Sequence, residues 1–258
     1  MVSNLDFLAD SYPGRFIIVG RSYDSKNIVL TYGVTGRSNP SKARKFEQGI
    51  RTEVVRTAVT DDAVLQKGNP ALLLYPAIAV YGRGLVASNG TQTELLYSAF
   101  TGHRDFSDQF SAEDIIVRAF EQPAYRYDAK EDRWIDITTF EPDAPNNTPR
   151  INVVAFGDNA CLHIVKEEDG KKKEKFHPFK LESGQARFIS TYDGEDKSPL
   201  PSFRGDPYII GLGGTSATET NDMVFAALNP ELRVCVATVY FDGTHLKTSM
   251  NSIHDLVV

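Results

Sequence analysis

An α+β fold, with two stacked and mainly antiparallel sheets covered by helices, is what this sequence predicts. Three observations carry the prediction. Apolar, β-branched runs fall into two groups, one ahead of Asn89-Gly90 and one after Pro149. Helix-start patterns lie between the groups, at Thr91 with Glu94 and at Ser111 with Asp114. A third such pattern, Ser216 with Glu219, comes late and precedes a last strong strand.

Taken in order, residues 5–10 predict a short helix that Tyr12-Pro13-Gly14 breaks. Arg15 to Gly20 reads as a strand, and Ser25-Lys26-Asn27 turns it into a second, Ile28 to Thr35, making a hairpin. That second strand is β-branched and aromatic, as a half-buried strand requires. It ends abruptly in Gly36, Arg37, Ser38, Asn39 and Pro40, with Lys42 and Arg44 close behind. A rigid strand leading into a small-residue loop with guanidinium donors suits a phosphorylated ligand. A solvated exit with surface cations is the plain alternative. Arg51 to Thr60 reads as a further strand. The run ALLLYPAIAVYG after Asn69-Pro70 is apolar enough for burial on both faces, and Pro76 within it implies an edge or a bulge. Leu85 to Ser88 is its return strand.

The capping-box spacing of Thr91 and Glu94 starts one helix, and Ser111 with Asp114 starts another that Gln122-Pro123 closes. Residues 124–148 mix aromatics, acids and prolines and predict loop with one or two short strands. Arg150 to Phe156 and Ala160 to Glu167 are strands joined by Gly157-Asp158-Asn159. The lysines from Lys171 to Lys175 read as a solvated hairpin tip. Arg187 to Tyr192 is another strand. Gly211 to Ser216 leads into a helix over 217–228; its backbone amides can cradle an anion, or it is a plain helix entry. Arg233 to Phe241 is the final strand. No low-complexity linker or repeat period divides the chain, so residues 1–258 read as one domain.

A hydrophobic share of 41% fits an ordinary globular core, and a net charge of −6 argues against a nucleic-acid partner. No run approaches the roughly 18 apolar residues of a membrane span, and the N-terminus lacks the pattern of a secretory signal. Cys161 and Cys235 lie in apolar, strand-like runs, as buried free thiols of a cytoplasmic protein would; a disulfide or metal pair is the alternative. The histidines at 103, 163, 177, 245 and 254 show no zinc-like spacing, so no metal is expected.

Four stretches together resemble the archaeal type of IMP cyclohydrolase: Tyr12 to Gly20; the strand and loop ending in Gly36-Arg37-Ser38-Asn39-Pro40; Asn69-Pro70 through Tyr75 to Glu94; and Asn147-Thr148-Pro149-Arg150-Ile151, echoed by Ile189 to Tyr192. The resemblance implies a four-layer αββα sandwich like that of N-terminal-nucleophile hydrolases. It also implies closure of the purine ring of 5-formamidoimidazole-4-carboxamide ribotide to inosine monophosphate, with no cofactor. The partner is then a small-molecule nucleotide, with no nucleic acid or membrane, and a homo-oligomer is compatible with it. Two departures are plain. This chain is longer around residues 100–140 and 166–180. The archaeal pattern also has an acid just before Asn-Thr-Pro-Arg, where Pro145 and Asn146 stand here.

By that resemblance Tyr75 donates to or relays protons at the formyl oxygen, its alternative being a core tyrosine. Arg37 steers the carboxamide or binds phosphate, or is a surface cation. Glu141 and Asp143, the nearest acids to Asn147, are the candidate proton acceptors, or solvated loop acids. Substrate-binding candidates are Arg37, Ser38, Asn39, Asn89, Asn147, Arg150, Thr191 and Tyr192. For Asn89 a turn role, and for Arg150 an internal ion pair, are the alternatives. The ring-closing reading requires Arg37, Tyr75 and Arg150 to converge on one cavity. Two other functions compete: an amidohydrolase with an N-terminal nucleophile, which Met1-Val2-Ser3 does not supply without further processing, and a non-catalytic purine-nucleotide-binding protein.

Overall fold

The computed structural model describes residues 4–51, 53–67, 70–102 and 110–255. Met1-Val2-Ser3, Asn69 and His103, each named above, lie outside the described residues. Strands β1 (Arg15–Arg21) and β2 (Ile28–Thr35) form the opening hairpin. A four-residue helix, α1 (Asn39–Lys42), leads to β3 (Arg44–Gln48) and β4 (Val54–Val59). Two short helices, α2 (Asp62–Lys67) and α3 (Pro70–Leu73), precede the hairpin of β5 (Pro76–Tyr81) and β6 (Gly84–Ser88). Then come α4 (Gln92–Thr101), α5 (Ala112–Phe120) and a two-stranded ribbon of β7 (Tyr125–Asp128) and β8 (Arg133–Asp136). The second half runs through β9 (Arg150–Phe156), β10 (Asn159–Glu168), β11 (Lys171–Lys180), β12 (Gln185–Ser190) and β13 (Tyr208–Gly211). Helix α6 (Ala217–Ala227) and the hairpin of β14 (Arg233–Phe241) and β15 (Leu246–Ser252) follow.

The strands make two large antiparallel sheets, one ordered β13-β12-β1-β2-β14-β15 and the other β11-β10-β9-β6-β5-β4-β3. Helix α6 packs on β14 and β15, whereas α4 and α5 pack on β5, β6, β9 and β10. The two sheets meet through β1 with β9 and through β14 and β15 with β3. Helices therefore cover the outer faces, and the main apolar core lies between sheets, drawing on Ile17, Leu30, Ile78, Val153 and Val239. This is the αββα sandwich expected from the sequence.

Several local features differ from the sequence reading. β2 is buried along its whole length rather than on one face, as an interior strand between β1 and β14. The ALLLYP segment is a short helix that becomes strand only at Pro76, where the β4–β5 register shifts, so the proline marks a bulge. Thr91 makes no capping bond, because its backbone is already helical (φ −63°, ψ −9°), while the Ser111–Asp114 box forms in full. The lysine run sits along β11, an edge strand, and Asp169-Gly170 makes the turn. Strands β3, β13 and β15 were not anticipated. Cys161 and Cys235 are buried free thiols, and burial pushes both up to about 12.

Candidate active site

Alternation along β2 separates two jobs. Thr31 faces α6, since its hydroxyl lies 2.8 Å from that of Thr238, which donates to Asn221 of the helix at 3.0 Å. Tyr32 therefore faces the other sheet. There its hydroxyl lies 3.1 Å from that of Tyr75, the residue just ahead of β5. The backbone of Tyr75 is fixed by Thr57, whose Oγ1 accepts from Tyr75 N at 3.0 Å and donates to Tyr75 O at 3.1 Å. Burial, first of all, pushes the Tyr32 hydroxyl well above the usual tyrosine range, so it is a neutral phenol. A fully buried O–H must donate. Among the described residues the Tyr75 hydroxyl is its hydrogen-bond partner. Either hydroxyl can be the donor across this contact; with Tyr32 donating, the Tyr75 proton is left for another acceptor.

Beside this pair lies Arg15, the first residue of β1. Its position is set by Gly14, which has φ +71°; a Cβ there would come within 2.5 Å of both Thr191 Oγ1 and the Tyr192 ring. Thr191 Oγ1 accepts from Arg15 N at 3.1 Å and donates to Pro13 O at 3.1 Å. Burial opposes the Arg15 charge, but Tyr192, Tyr75, Tyr32 and Asp143 around it outweigh that and hold its pKa above the ordinary value. Its Nε is buried and makes no hydrogen bond.

The acid side of the cluster comes from the loop before β9. Asp143 accepts from Thr148 N at 2.7 Å and, through its other oxygen, from Thr148 Oγ1 at 2.6 Å. Thr148 Oγ1 also lies 2.8 Å from the Tyr192 hydroxyl. Burial pushes the Tyr192 hydroxyl up, so it too keeps its proton. Tyr192 stacks on Tyr12 at 5.9 Å, and the Arg37 guanidinium lies 5.1 Å over the other ring of that stack. Arg37 also pairs with Asp196 at 2.6 Å.

Glu141 and Arg150 form a separate buried ion group beside this one. Glu141 accepts from Arg126 Nη2 through both oxygens, at 2.9 and 3.1 Å, and from Arg150 Nη2. Arg150 is only 2% exposed. Burial lowers its pKa, Glu141 opposes that, and Arg15 and Arg126 add to the lowering.

The predicted residues thus separate. Tyr75, Asp143 and Tyr192 gather around Arg15. Arg37, Ser38 and Asn39 are exposed at the rim, with Ser38 capping α1. Arg150 lies in the internal ion pair, with Glu141 as its partner, and Arg15 is the cation among the tyrosines. The Asn89 amide is engaged at both ends, donating to Pro149 O at 2.8 Å and accepting from Ile151 N at 2.9 Å, so it braces β9. Thr191 braces Gly14-Arg15 in the same way. Asn147 turns the loop with φ +43°. Sequence reasoning passed over Arg15, Tyr12, Tyr32, Arg126 and Thr148. Arg15 carried the signal that singled out Arg150, a cation at the first position of a strand after a Pro-containing turn.

Comparison with known proteins identifies the family. A family model described as IMP cyclohydrolase-like protein matches residues 12–129 and 114–245. This chain belongs to that family. It is 26% identical over 238 residues to the IMP cyclohydrolase of Methanococcus maripaludis strain C7, covering 92% of this chain and 99% of the relative. The enzyme of a second strain of that species is 27% identical with the same coverage. The IMP cyclohydrolase of Methanococcus aeolicus is 26% identical over 232 residues, 90% of this chain and 96% of the relative. Tyr12, Arg15, Tyr32, Tyr75, Asp143, Thr148 and Tyr192 all fall inside the matched spans.

Proposed function

We propose that this chain is an IMP cyclohydrolase that closes the purine ring of 5-formamidoimidazole-4-carboxamide ribotide, releasing inosine monophosphate and water. The observation that carries the reading is the grouping of a phenol, a guanidinium and a carboxylate in one cluster. The carboxamide nitrogen attacks the formyl carbon of the same molecule, so holding the right rotamer supplies much of the rate. Charge develops on the formyl oxygen. Tyr75 donates to that oxygen, and Arg15 stabilises it; one such oriented donor contributes on the order of 3 kcal/mol. Asp143 is the terminal acceptor for the carboxamide proton. The carbinolamine then loses its hydroxyl, with the proton of the adjoining formamido nitrogen, as water. Asp143 passes its proton back to the Tyr75 phenolate through solvent.

Arg37, at the rim, meets the phosphate in exchange for Asp196, with Ser38 and Asn39 beside it. The continuous core between the sheets supports one domain for residues 1–258. Among the described residues no helix is long and apolar enough to cross a membrane. A nucleotide biosynthetic reaction of this kind belongs in the cytoplasm, and self-association into a homo-oligomer is compatible with it.

The test is direct. Purified protein with the formylated ribotide should generate the inosinate absorbance. Tyr75→Phe and Arg15→Met should each lower kcat by about 100-fold or more, while Arg37→Ala should raise KM with kcat kept. Absence of turnover in the wild type, or full kcat in both cluster variants, would sink the proposal.

A further inference from the structure

The loop residue Thr148 has an accounting of protons that fixes a direction. Its side chain is fully buried and carries a single O–H. Two hydrogen-bond partners sit around that oxygen: Asp143 Oδ2 at 2.6 Å and the Tyr192 hydroxyl at 2.8 Å. Thr148 donates that proton to Asp143 Oδ2. The contact with Tyr192 then requires the phenol to donate to Thr148. Tyr192 Oη consequently faces its surroundings with lone pairs only, and those surroundings include Arg15. The result is an ordered chain, Tyr192 to Thr148 to Asp143, with every proton pointing toward the carboxylate. The backbone N–H of Thr148 holds the other carboxylate oxygen at 2.7 Å, which keeps the end of the chain in register.

We infer that Thr148 is the proton relay of the ring-closing step, carrying the carboxamide proton from Tyr192 to Asp143. The inference rests on the cyclohydrolase reading and deepens it by naming how the acid is reached. As the carboxamide N–C bond forms, the nitrogen gives its proton to Tyr192 Oη. The Tyr192 proton moves to Thr148 Oγ1, and the Thr148 proton moves to Asp143 Oδ2. The π electrons of the formyl C=O go to its oxygen, which takes the proton of Tyr75. One N–H and one O–H bond break at the ends, and one of each kind of acceptor is filled, so the step balances without an oxidant, reductant or co-reactant. Thr148 touches no substrate; it acts through Tyr192. Asp143 therefore need not reach the substrate.

The experiment uses the full chain, three single variants and one double variant. Thr148→Val keeps the shape and the backbone N–H but removes the hydroxyl; Thr148→Ser keeps the hydroxyl. The relay requires kcat to fall by about 100-fold in Thr148→Val, the lower end for a lost general base, and to recover to within a few-fold in Thr148→Ser. A solvent deuterium isotope effect on wild-type kcat, with the curved dependence on deuterium fraction of several protons in flight, should collapse toward a single-proton dependence in Thr148→Val. A merely structural threonine would not move that signature. Tyr192→Phe breaks the same chain at its other end, so the double variant with Thr148→Val should be no slower than the worse single one. Multiplicative losses in the double variant, or wild-type kcat and isotope effect in Thr148→Val, overturn the relay while leaving ring closure standing. Absence of turnover in the wild-type chain overturns both.

Discussion

The hydroxyl pair of Tyr32 and Tyr75 makes an asymmetric prediction about stability. Tyr32 is fully buried and its hydroxyl lies 3.1 Å from that of Tyr75; in the proposed site Tyr32 is the donor of the pair. Tyr75→Phe removes the acceptor and strands that buried O–H, which costs about 1–3 kcal/mol. Tyr32→Phe removes a donor instead; Tyr75 keeps its proton, and the loss is nearer to about 1 kcal/mol. The double variant leaves neither group unmatched, and replacing both partners of a buried hydrogen bond by apolar groups is nearly neutral. Tyr32→Phe added to Tyr75→Phe should therefore restore stability, with a coupling of about 1 kcal/mol or more. For a chain of this size each kcal/mol moves Tm by about 2–4 °C. Urea titrations of the four proteins, read at equal m-values, measure all three differences. Additive losses, or a larger loss for Tyr32→Phe than for Tyr75→Phe, would refute the assigned direction and with it the free Tyr75 proton.

Three further outcomes are expected. Glu141→Gln takes the charge from between Arg126 and Arg150, both at least nine-tenths buried, and should cost about 3–5 kcal/mol in an unfolding titration; an unchanged midpoint would contradict the ion-group reading. Gly14→Ala puts a side chain at φ +71° and against Thr191 and Tyr192; a loss of about 1–3 kcal/mol together with loss of turnover is expected, and a fully active, stable variant would show that the turn relaxes freely. His163 is lowered to about 3, by burial first and then by Lys172 and His177. Its contribution is complete above the ordinary value near pH 6.5 and is lost as pH falls toward about 3, because the unfolded chain takes a proton the folded one refuses. Stability should fall there with a slope approaching about 1.4 kcal/mol per pH unit. His163→Gln should flatten that slope in unfolding midpoints compared between about pH 7 and pH 5, and parallel slopes for the two proteins would refute the assignment.

The layers of this fold were legible because its strands are apolar and its turns carry Gly, Asn and Asp at the joints, as at Gly157-Asp158-Asn159. β3 and β15 escaped notice for the opposite reason. Their sequences, RKFEQ and LKTSMNS, are short of apolar residues because these strands lie at sheet borders. In the site, Tyr75, Asp143 and Tyr192 could be found from their motif and from being the acid nearest Asn147. Arg15 and Arg150 could not be told apart by sequence. Both are cations at strand starts, and only tertiary structure shows that Glu141 and Arg126 neutralise one while tyrosines surround the other. Tyr32 was hidden for a similar reason: within a run buried on both faces, alternation no longer marks which side chain matters.

One border of the seven-stranded sheet is β11, where Lys171, Lys172, Lys173 and Lys175 stand exposed. Lys172 finds Glu174 at 2.7 Å and Lys175 finds Asp206 at 2.7 Å, while the backbone of the strand has a partner on one side only. A stray strand from another molecule that tried to lengthen the sheet would have to bring its own groups against a row of ammonium ions. The fringe thus acts as a terminator for sheet growth, and acylating those amines should make the protein prone to ordered aggregation while its fold stays intact.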